Sequence, residues 1–124
     1  MKISCGVDII EIKRIQESIE NLGEKFINKI YTKNEIEYCE SKRTQKYQHY
    51  AARFAAKEAI FKAISDSLQN KYDIEWKDVE ITNSKTGKPI ITFINKSISN
   101  LEAIDISISH CKEYAVANVV AEFK

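Results

Sequence analysis

The pattern of apolar and polar positions predicts helices in the first half of the chain and strands in the second. Apolar and polar residues alternate over 3–10, which indicates a β-strand with Asp8 on its more polar face. Apolar residues then recur at helical spacing up to Leu22, and Gly23 stands where many helices end. We therefore expect a first helix over about 11–22.

Three more helical segments are predicted before residue 69. A short piece covers 26–30, and Thr32 with Glu35 has the pattern of a capping box that opens a helix through Cys39. After a polar turn over 41–47, a long helix is predicted over 48–68. Its expected apolar stripe consists of Ala51, Phe54, Phe61, Ile64 and Leu68.

The remaining residues predict a β-meander that follows a polar break over 69–73. The expected strands cover 79–82, 90–93, 104–109 and 115–123, with a turn over 84–89 and a helix around 96–101. The fold class is α+β: a single small domain, 1–124, with an antiparallel β-meander packed against a long helix.

Charge and cysteine content restrict the classes of partner. The formal net charge of the 124-residue chain is +1, so no global field favours nucleic acid or an anionic membrane, although cations cluster over 42–62. The three cysteines are odd in number, far apart in the sequence and without the paired short spacing of a zinc site or a secreted disulfide framework, which favours a reducing cytoplasm. The first residues resemble neither a signal peptide nor a membrane span.

The long helix carries the residues most suggestive of chemistry. Glu58 borders the predicted apolar stripe, and Lys62 lies one turn further on, so both could meet one ligand or simply form a surface ion pair. Asp8 could supply a second carboxylate or be a structural strand residue. Two carboxylates can hold Mg²⁺ when waters and phosphate oxygens complete its ligands.

Two later features are weaker candidates for phosphate binding. The turn Gly87-Lys88-Pro89 could contact a nucleotide or merely join two strands. His110 ends a predicted strand, and the side chain of the adjacent Ser109 would point to the opposite face, so no catalytic triad is implied.

Four segments together resemble the holo-acyl-carrier-protein synthase family. They are residues 6–15 with Val7-Asp8-Ile9, residues 31–35, residues 53–63 with Arg53-Phe54-Ala55-Ala56-Lys57-Glu58-Ala59, and residues 108–110. The likeness runs from about residue 3 to 123. Its motifs are specific in this order and separation, so they outweigh the alternatives that each residue leaves open alone.

The resemblance implies a homotrimer with active sites between subunits. Each site would transfer the 4′-phosphopantetheine arm of coenzyme A to a serine of acyl carrier protein, in fatty acid biosynthesis. By the same resemblance, Asp8 and Glu58 match the magnesium ligands and Lys62 a residue near the phosphates of coenzyme A. Positions that match the site for its 3′-phosphoadenosine part are Arg53, Gly87, Lys88, Pro89 and His110.

The first helix is the expected docking surface for the acidic carrier. Arg14 matches a basic docking residue of the family, and Lys13 lies beside it on the exposed face. Asn21 and Glu24 make the end of this helix less basic than the family pattern.

Rival functions stay open for the sequence alone. A non-catalytic coenzyme A or nucleotide-binding module would use the same cations without transfer, and a small RNA-binding domain would use the basic stretch over 42–62. Within the enzyme reading, either Glu58 or a water on the metal could take the proton from the serine.

Overall fold

The computed structural model describes residues 1–70 and 73–124, which form four helices and five strands joined by short connections. The strands are β1 (Lys2–Glu11), β2 (Val79–Asn83), β3 (Pro89–Phe93), β4 (Leu101–His110) and β5 (Tyr114–Phe123). The helices are α1 (Ile12–Leu22), α2 (Glu24–Ile30), α3 (Lys33–Ser41) and α4 (Lys46–Ile64). The predicted α+β class is confirmed.

All strand pairing within the described ranges is antiparallel, in two sheets. One sheet has the order β1-β5-β4, and β2 pairs with β3 as a separate hairpin. The first and last strands pair along their whole length, from Lys2 opposite Phe123 to Glu11 opposite Tyr114. Helix α4 packs against the three-stranded sheet, and β1 is in direct contact with this helix.

Two predictions about helices are wrong: the helix around 96–101 and the end of the long helix at 68. Residues 96–101 form no helix, since Asn95 and Asn100 have positive φ angles of 56° and 64°, which a right-handed helix does not allow. The long helix ends at Ile64, and a 3₁₀ turn follows at Ser65–Ser67. Of the predicted polar break over 69–73, residues 71 and 72 lie outside the described residues.

The core between α4 and the sheet is built from small residues. Helix α4 is buried on nearly all sides, so the single apolar stripe predicted for it is incomplete: Phe54 and Phe61 are only half-buried. Fully buried alanines face each other from the two layers. They are Ala55, Ala56, Ala59 and Ala63 of α4 with Ala117 and Ala121 of β5. Small side chains let the helix lie close to the sheet.

The two faces of β1 are used in an unexpected way. Its apolar residues Ile3, Val7 and Ile9 are 59%, 57% and 63% exposed, whereas Gly6 contacts α4. A Cβ atom at Gly6 would lie 1.9 Å from the carbonyl oxygen of Ala59. Only glycine therefore fits at this contact, and the polar face of β1 is the one that meets the helix.

A buried ion pair fixes the other side of α4. Lys57 Nζ lies 2.7 Å from Glu35 Oε1, and both side chains are fully buried. Backbone groups complete the network: Lys57 donates to the carbonyls of Ile30 and Trp76, and Glu35 accepts from the amides of Thr32 and Ile81. Burial lowers the pKa of Lys57, and the adjacent Glu35 opposes that shift. Loss of either partner would leave an uncompensated charge in the interior.

The capping box predicted at the start of α3 is confirmed, since Thr32 and Glu35 cap each other. Glu35 is thus both a helix cap and the partner of Lys57, which ties α3 to α4. No helix in the described ranges is both long and apolar enough to cross a membrane.

The contact at Gly6 predicts a large effect of one added methyl group. Gly6→Ala should lower the free energy of unfolding by about 2 kcal/mol or more, because backbone rather than a mobile side chain must move. Urea denaturation measures this, with Ser4→Ala on the same strand as the control. Equal stability of the Gly6→Ala variant and the wild type would contradict the close packing.

Candidate functional site

Asp8, Glu58 and Lys62 come together where β1 crosses α4. Lys62 Nζ lies 3.3 Å from Asp8 Oδ1 and donates to the Val7 carbonyl at 2.9 Å. Burial raises the pKa of the half-buried Glu58, the charge of Asp8 raises it further, and Lys62 acts in the opposite direction. The predicted convergence of these three residues is thus present within one chain.

Two carboxylates and one lysine make up the charged groups at this crossing. No group of three or more His, Cys, Asp or Glu side chains is arranged for a metal within residues 1–70 and 73–124. The protein thus offers two neighbouring carboxylates, and their mutual repulsion contributes to the raised pKa of Glu58. Mg²⁺ commonly uses one or two protein carboxylates and takes further ligands from phosphate and water.

Arg53 organises a second group of residues near the β2–β3 hairpin. It is only 4% exposed, and its Nη2 donates to Asn83 Oδ1 at 2.8 Å. Asn83 in turn donates to the carbonyl of Gly87 at 3.1 Å. Arg53 and the Gly87 turn, both predicted for one site, are therefore joined through a side chain that the sequence did not single out.

Tyr38 forms the centre of this second group. The Arg53 guanidinium lies 4.2 Å and Lys42 Nζ 4.8 Å from the centre of its ring. The His49 ring is 5.5 Å from Tyr38 and 6.2 Å from the ring of His110, centre to centre. We refer to Lys42, His49, Arg53 and His110 around Tyr38 as the cationic cluster.

Two residues of the predicted turn are placed differently from Gly87. Lys88 Nζ lies 2.9 Å from Asp105 Oδ1 in an exposed pair, and Pro89 begins β3. An exposed ion pair is weak, so Lys88 is free to change partner.

The two groups lie on different sides of α4. Arg53 and Glu58 are five positions apart on the helix, which turns their side chains by about 140° relative to each other. No hydrogen bond or ion pair between described residues joins the cationic cluster to Asp8, Glu58 or Lys62 directly. One chain therefore presents two separate halves of the predicted site.

An apolar cavity of about 600 Å³ has Phe61, Leu68 and Trp76 in its wall, together with the charged Lys29, Glu75 and Lys77. It reaches Ser65, whose Oγ donates to the carbonyl of Lys62 at 3.0 Å. None of the predicted site residues lines it. In the sequence, the aromatic residue Trp76 is the feature that could have indicated this cavity, and the prediction did not use it.

The predicted docking residues are exposed, as expected. Lys13 and Arg14 lie in the first turn of α1 with their side chains in solvent. The acidic Glu17 and Glu20 follow on the same helix. Positive charge is thus confined to the start of α1.

Comparison with known proteins gives a consistent result. Residues 4–119 match the model of the 4′-phosphopantetheinyl transferase superfamily. A holo-[acyl-carrier-protein] synthase of Ruminiclostridium cellulolyticum is 44% identical over 125 residues, which cover 97% of this chain and 92% of the relative. One from Koribacter versatilis is 38% identical over 98% of this chain and 99% of its own.

Solved structures agree in fold. The crystal structure of a holo-(acyl-carrier-protein) synthase from Bacillus anthracis in complex with coenzyme A (3′,5′-ADP) superposes with a TM-score of 0.80 at 35% identity, over 98% of this chain and 96% of that one. The Helicobacter pylori synthase in complex with coenzyme A gives 0.78 at 29% identity, over 95% and 99%. Sequence, fold and site all lead to one assignment: the chain belongs to the 4′-phosphopantetheinyl transferase superfamily.

Proposed function

We propose that this chain is a holo-[acyl-carrier-protein] synthase. It moves 4′-phosphopantetheine from coenzyme A to a serine of apo-acyl carrier protein, as a step that serves fatty acid biosynthesis, and releases 3′,5′-ADP. The main observation in support is that Asp8, Glu58 and Lys62 lie together in a chain that is 44% identical to a synthase over nearly its full length. Residues 1–124 act as one transferase domain.

Coenzyme A occupies both halves of the site in this proposal. Its diphosphate lies at Asp8, Glu58 and Lys62, where Mg²⁺ would be held by the two carboxylates. Its 3′-phosphoadenosine part lies at Arg53, the Gly87-Lys88-Pro89 turn and His110. Support comes from the B. anthracis and H. pylori synthases, whose structures contain coenzyme A.

The carrier's serine attacks the phosphorus that bears pantetheine. A new P–O bond forms to the serine oxygen, and the bond from that phosphorus to the 3′,5′-ADP oxygen breaks. Glu58 is the group in this chain that would accept the serine proton. Lys62 places a positive charge beside the diphosphate. A cation held by Asp8 and Glu58 would neutralise further phosphate charge.

The apolar cavity next to Lys62 suits the uncharged pantetheine arm. Phe61, Leu68 and Trp76 form part of its wall, and it includes Ser65, which donates to the carbonyl of Lys62. The arm would lie there without bringing charge into contact with these side chains.

We further propose a homotrimer whose subunits complete each other's sites. The exposed apolar face of β1, with Val120 of β5, offers a surface for another copy. In a trimer, the carboxylates of one subunit could face the cationic cluster of its neighbour, which would bring the two separated halves of the site to one coenzyme A. Three free cysteines, two of them exposed, are consistent with action in the reducing cytoplasm.

Carboxylate variants test the reaction. Asp8→Asn and Glu58→Gln should each lower kcat/KM by about 100-fold or more, because each removes negative charge needed for the cation and one removes the base. The readout is the intact mass of apo carrier after incubation with coenzyme A and Mg²⁺. Glu102→Gln, an exposed carboxylate near the start of β4 and at the opposite end of that strand from His110, should match the wild type.

If the carrier gains no mass with the wild-type protein, the proposed transferase activity is rejected and the non-catalytic binding module is favoured. Full activity of both carboxylate variants would reject the assignment of the site.

The coupling of Glu58 to Asp8 is directly measurable. NMR titration of the Glu58 side-chain carboxyl should give a pKa above 4.5 in the free protein. In the Asp8→Asn variant the pKa should fall, because one of the two causes that raise it is gone. An unchanged or higher value in this variant would show that the carboxylates are too far apart to share a cation.

Ile9→Lys tests the oligomer. A charge in the exposed apolar face of β1 should convert a trimer to a monomer in light scattering, whereas Leu22→Lys, an equally exposed apolar position on α1, should not. A monomeric wild-type protein would contradict the trimer.

Mixing two inactive variants tests whether the subunits share sites. Asp8→Asn and Arg53→Gln proteins should regain transfer after subunit exchange, since some interfaces then hold one intact half from each. Mixed trimers without activity would place both halves of the site in one subunit.

Charge reversal tests carrier docking. Arg14→Glu should raise KM for the acidic carrier about fivefold or more at low salt, with kcat little changed, and the difference should shrink as salt screens it. Lys33→Glu, an exposed cation on α3, is the control. If Arg14→Glu and the wild type share one KM, the carrier docks elsewhere.

A further inference from the structure

His49 is a titratable residue in the cationic cluster that the mechanism above does not use. It lies on α4 one turn before Arg53, and its ring is 5.5 Å from Tyr38 and 6.2 Å from His110. We propose that His49 is a further binding residue for the phosphate monoester of coenzyme A and that it takes up a proton when this group binds. The inference rests on the proposed function, since coenzyme A is its ligand.

The groups around His49 carry unbalanced positive charge. Tyr38 contacts it from α3, Lys42 acts on it from the end of α3, Arg53 from α4 and His110 from β4. None of these is a carboxylate. Burial lowers the pKa of His49, and the charges of Arg53, Lys42 and His110 lower it further. His49 is therefore mostly neutral above its usual pKa of 6.5, and an anion placed among these groups would favour its charged form.

The environment of Arg53 is a second, independent indication of an anion-binding site. The residue is 4% exposed, and its Nε has no hydrogen-bond partner among the residues that the structure describes. Asn83, its hydrogen-bond acceptor, is uncharged. A buried cation with an unsatisfied N–H group is unfavourable unless another group supplies acceptor oxygens. A phosphate supplies both the oxygens and the negative charge.

The chemistry of coenzyme A decides which phosphate this is. The molecule has a diphosphate and a separate phosphate monoester on the ribose. The diphosphate belongs to the reacting end, at Asp8, Glu58 and Lys62, about 140° away around α4. The monoester carries a charge of about −1.5 to −2 near neutral pH, which matches Lys42 and Arg53 and leaves room for a third positive charge on His49.

The geometry of Tyr38 supports a shared site. Its ring holds Lys42 Nζ at 4.8 Å and the Arg53 guanidinium at 4.2 Å, and it also packs edge to face on His49. Two fixed cations and one titratable ring are thus arranged on a single aromatic side chain. Replacement of His49 by Phe keeps a ring beside Tyr38 while it removes the titratable group.

The expected pH dependence follows from the direction of the shift. A bound phosphate raises the pKa of His49 above its value in the free protein, so binding takes up a proton and becomes tighter as pH falls. Dephospho-coenzyme A lacks the monoester and should show little of this effect. The ratio of the affinity for coenzyme A to the affinity for dephospho-coenzyme A should therefore increase about threefold or more when the pH falls from 8.5 to 6.5. A pKa shift of one unit on binding would change this ratio at most about tenfold.

Calorimetric titration of the full chain with coenzyme A and with dephospho-coenzyme A at both pH values tests this inference. The wild type should show the increase, and His49→Phe should show a preference that changes by less than about twofold. NMR titration of the His49 ring should also give a higher pKa with 3′,5′-ADP bound than without it.

Two results would overturn the role of His49 and leave the transferase standing. One is a His49→Phe protein that keeps the pH-dependent preference of the wild type. The other is an equal pH dependence for dephospho-coenzyme A, which would place the diphosphate in the cationic cluster. Absence of any coenzyme A binding by the wild type would overturn this inference and the proposed function together.

Discussion

The close approach of β1 to α4 is the constraint on which the site depends. Gly6 lies against the backbone of Ala59, at a distance that leaves no space for a side chain. Asp8 is two residues further along the same face of β1, and Glu58 directly precedes Ala59 on the helix. The packing of a glycine against an alanine therefore sets the distance between the two carboxylates, and Lys62 reaches the same strand from one turn further on.

Helix α4 connects this contact to the rest of the molecule. Its inner face of alanines fits the sheet, while Lys57 fixes it to α3 through the buried Glu35. Arg53 extends toward the hairpin through Asn83. One helix thus carries an acidic group and a cationic group, which in the proposal meet the diphosphate, through Mg²⁺, and the phosphate monoester of coenzyme A. In the proposal a neighbouring subunit brings the two groups together, so assembly and catalysis are linked.

Local sequence patterns predicted most of the helices and strands because periodicity and capping act over a few residues. Thr32 and Glu35 are an example, since the cap lies within one turn. The same patterns could not show which face of β1 is covered: alternation identifies two faces, and the contact between Gly6 and Ala59 decides between them. The helix predicted around 96–101 failed because the backbone at Asn95 and Asn100 is left-handed.

The site was predictable where a motif specified it. Asp8, Glu58 and Lys62 were identified through the family resemblance, and the fold brings them together. Tyr38, His49 and Asn83 were not, since only contacts between segments distant in the chain bring them to the candidate site. Lys57 is a case in which the sequence pattern was misleading. It belongs to the basic stretch over 42–62, but in the structure it is buried and paired with Glu35.

Binding of Mn²⁺ in place of Mg²⁺, followed by electron paramagnetic resonance with coenzyme A present, tests most directly whether Asp8 and Glu58 hold one cation. The wild-type protein should bind one Mn²⁺ per chain, and Asp8→Asn and Glu58→Gln should each weaken that binding about tenfold or more, because each removes one of two protein ligands. Wild-type affinity for Mn²⁺ in both variants would contradict a shared carboxylate site.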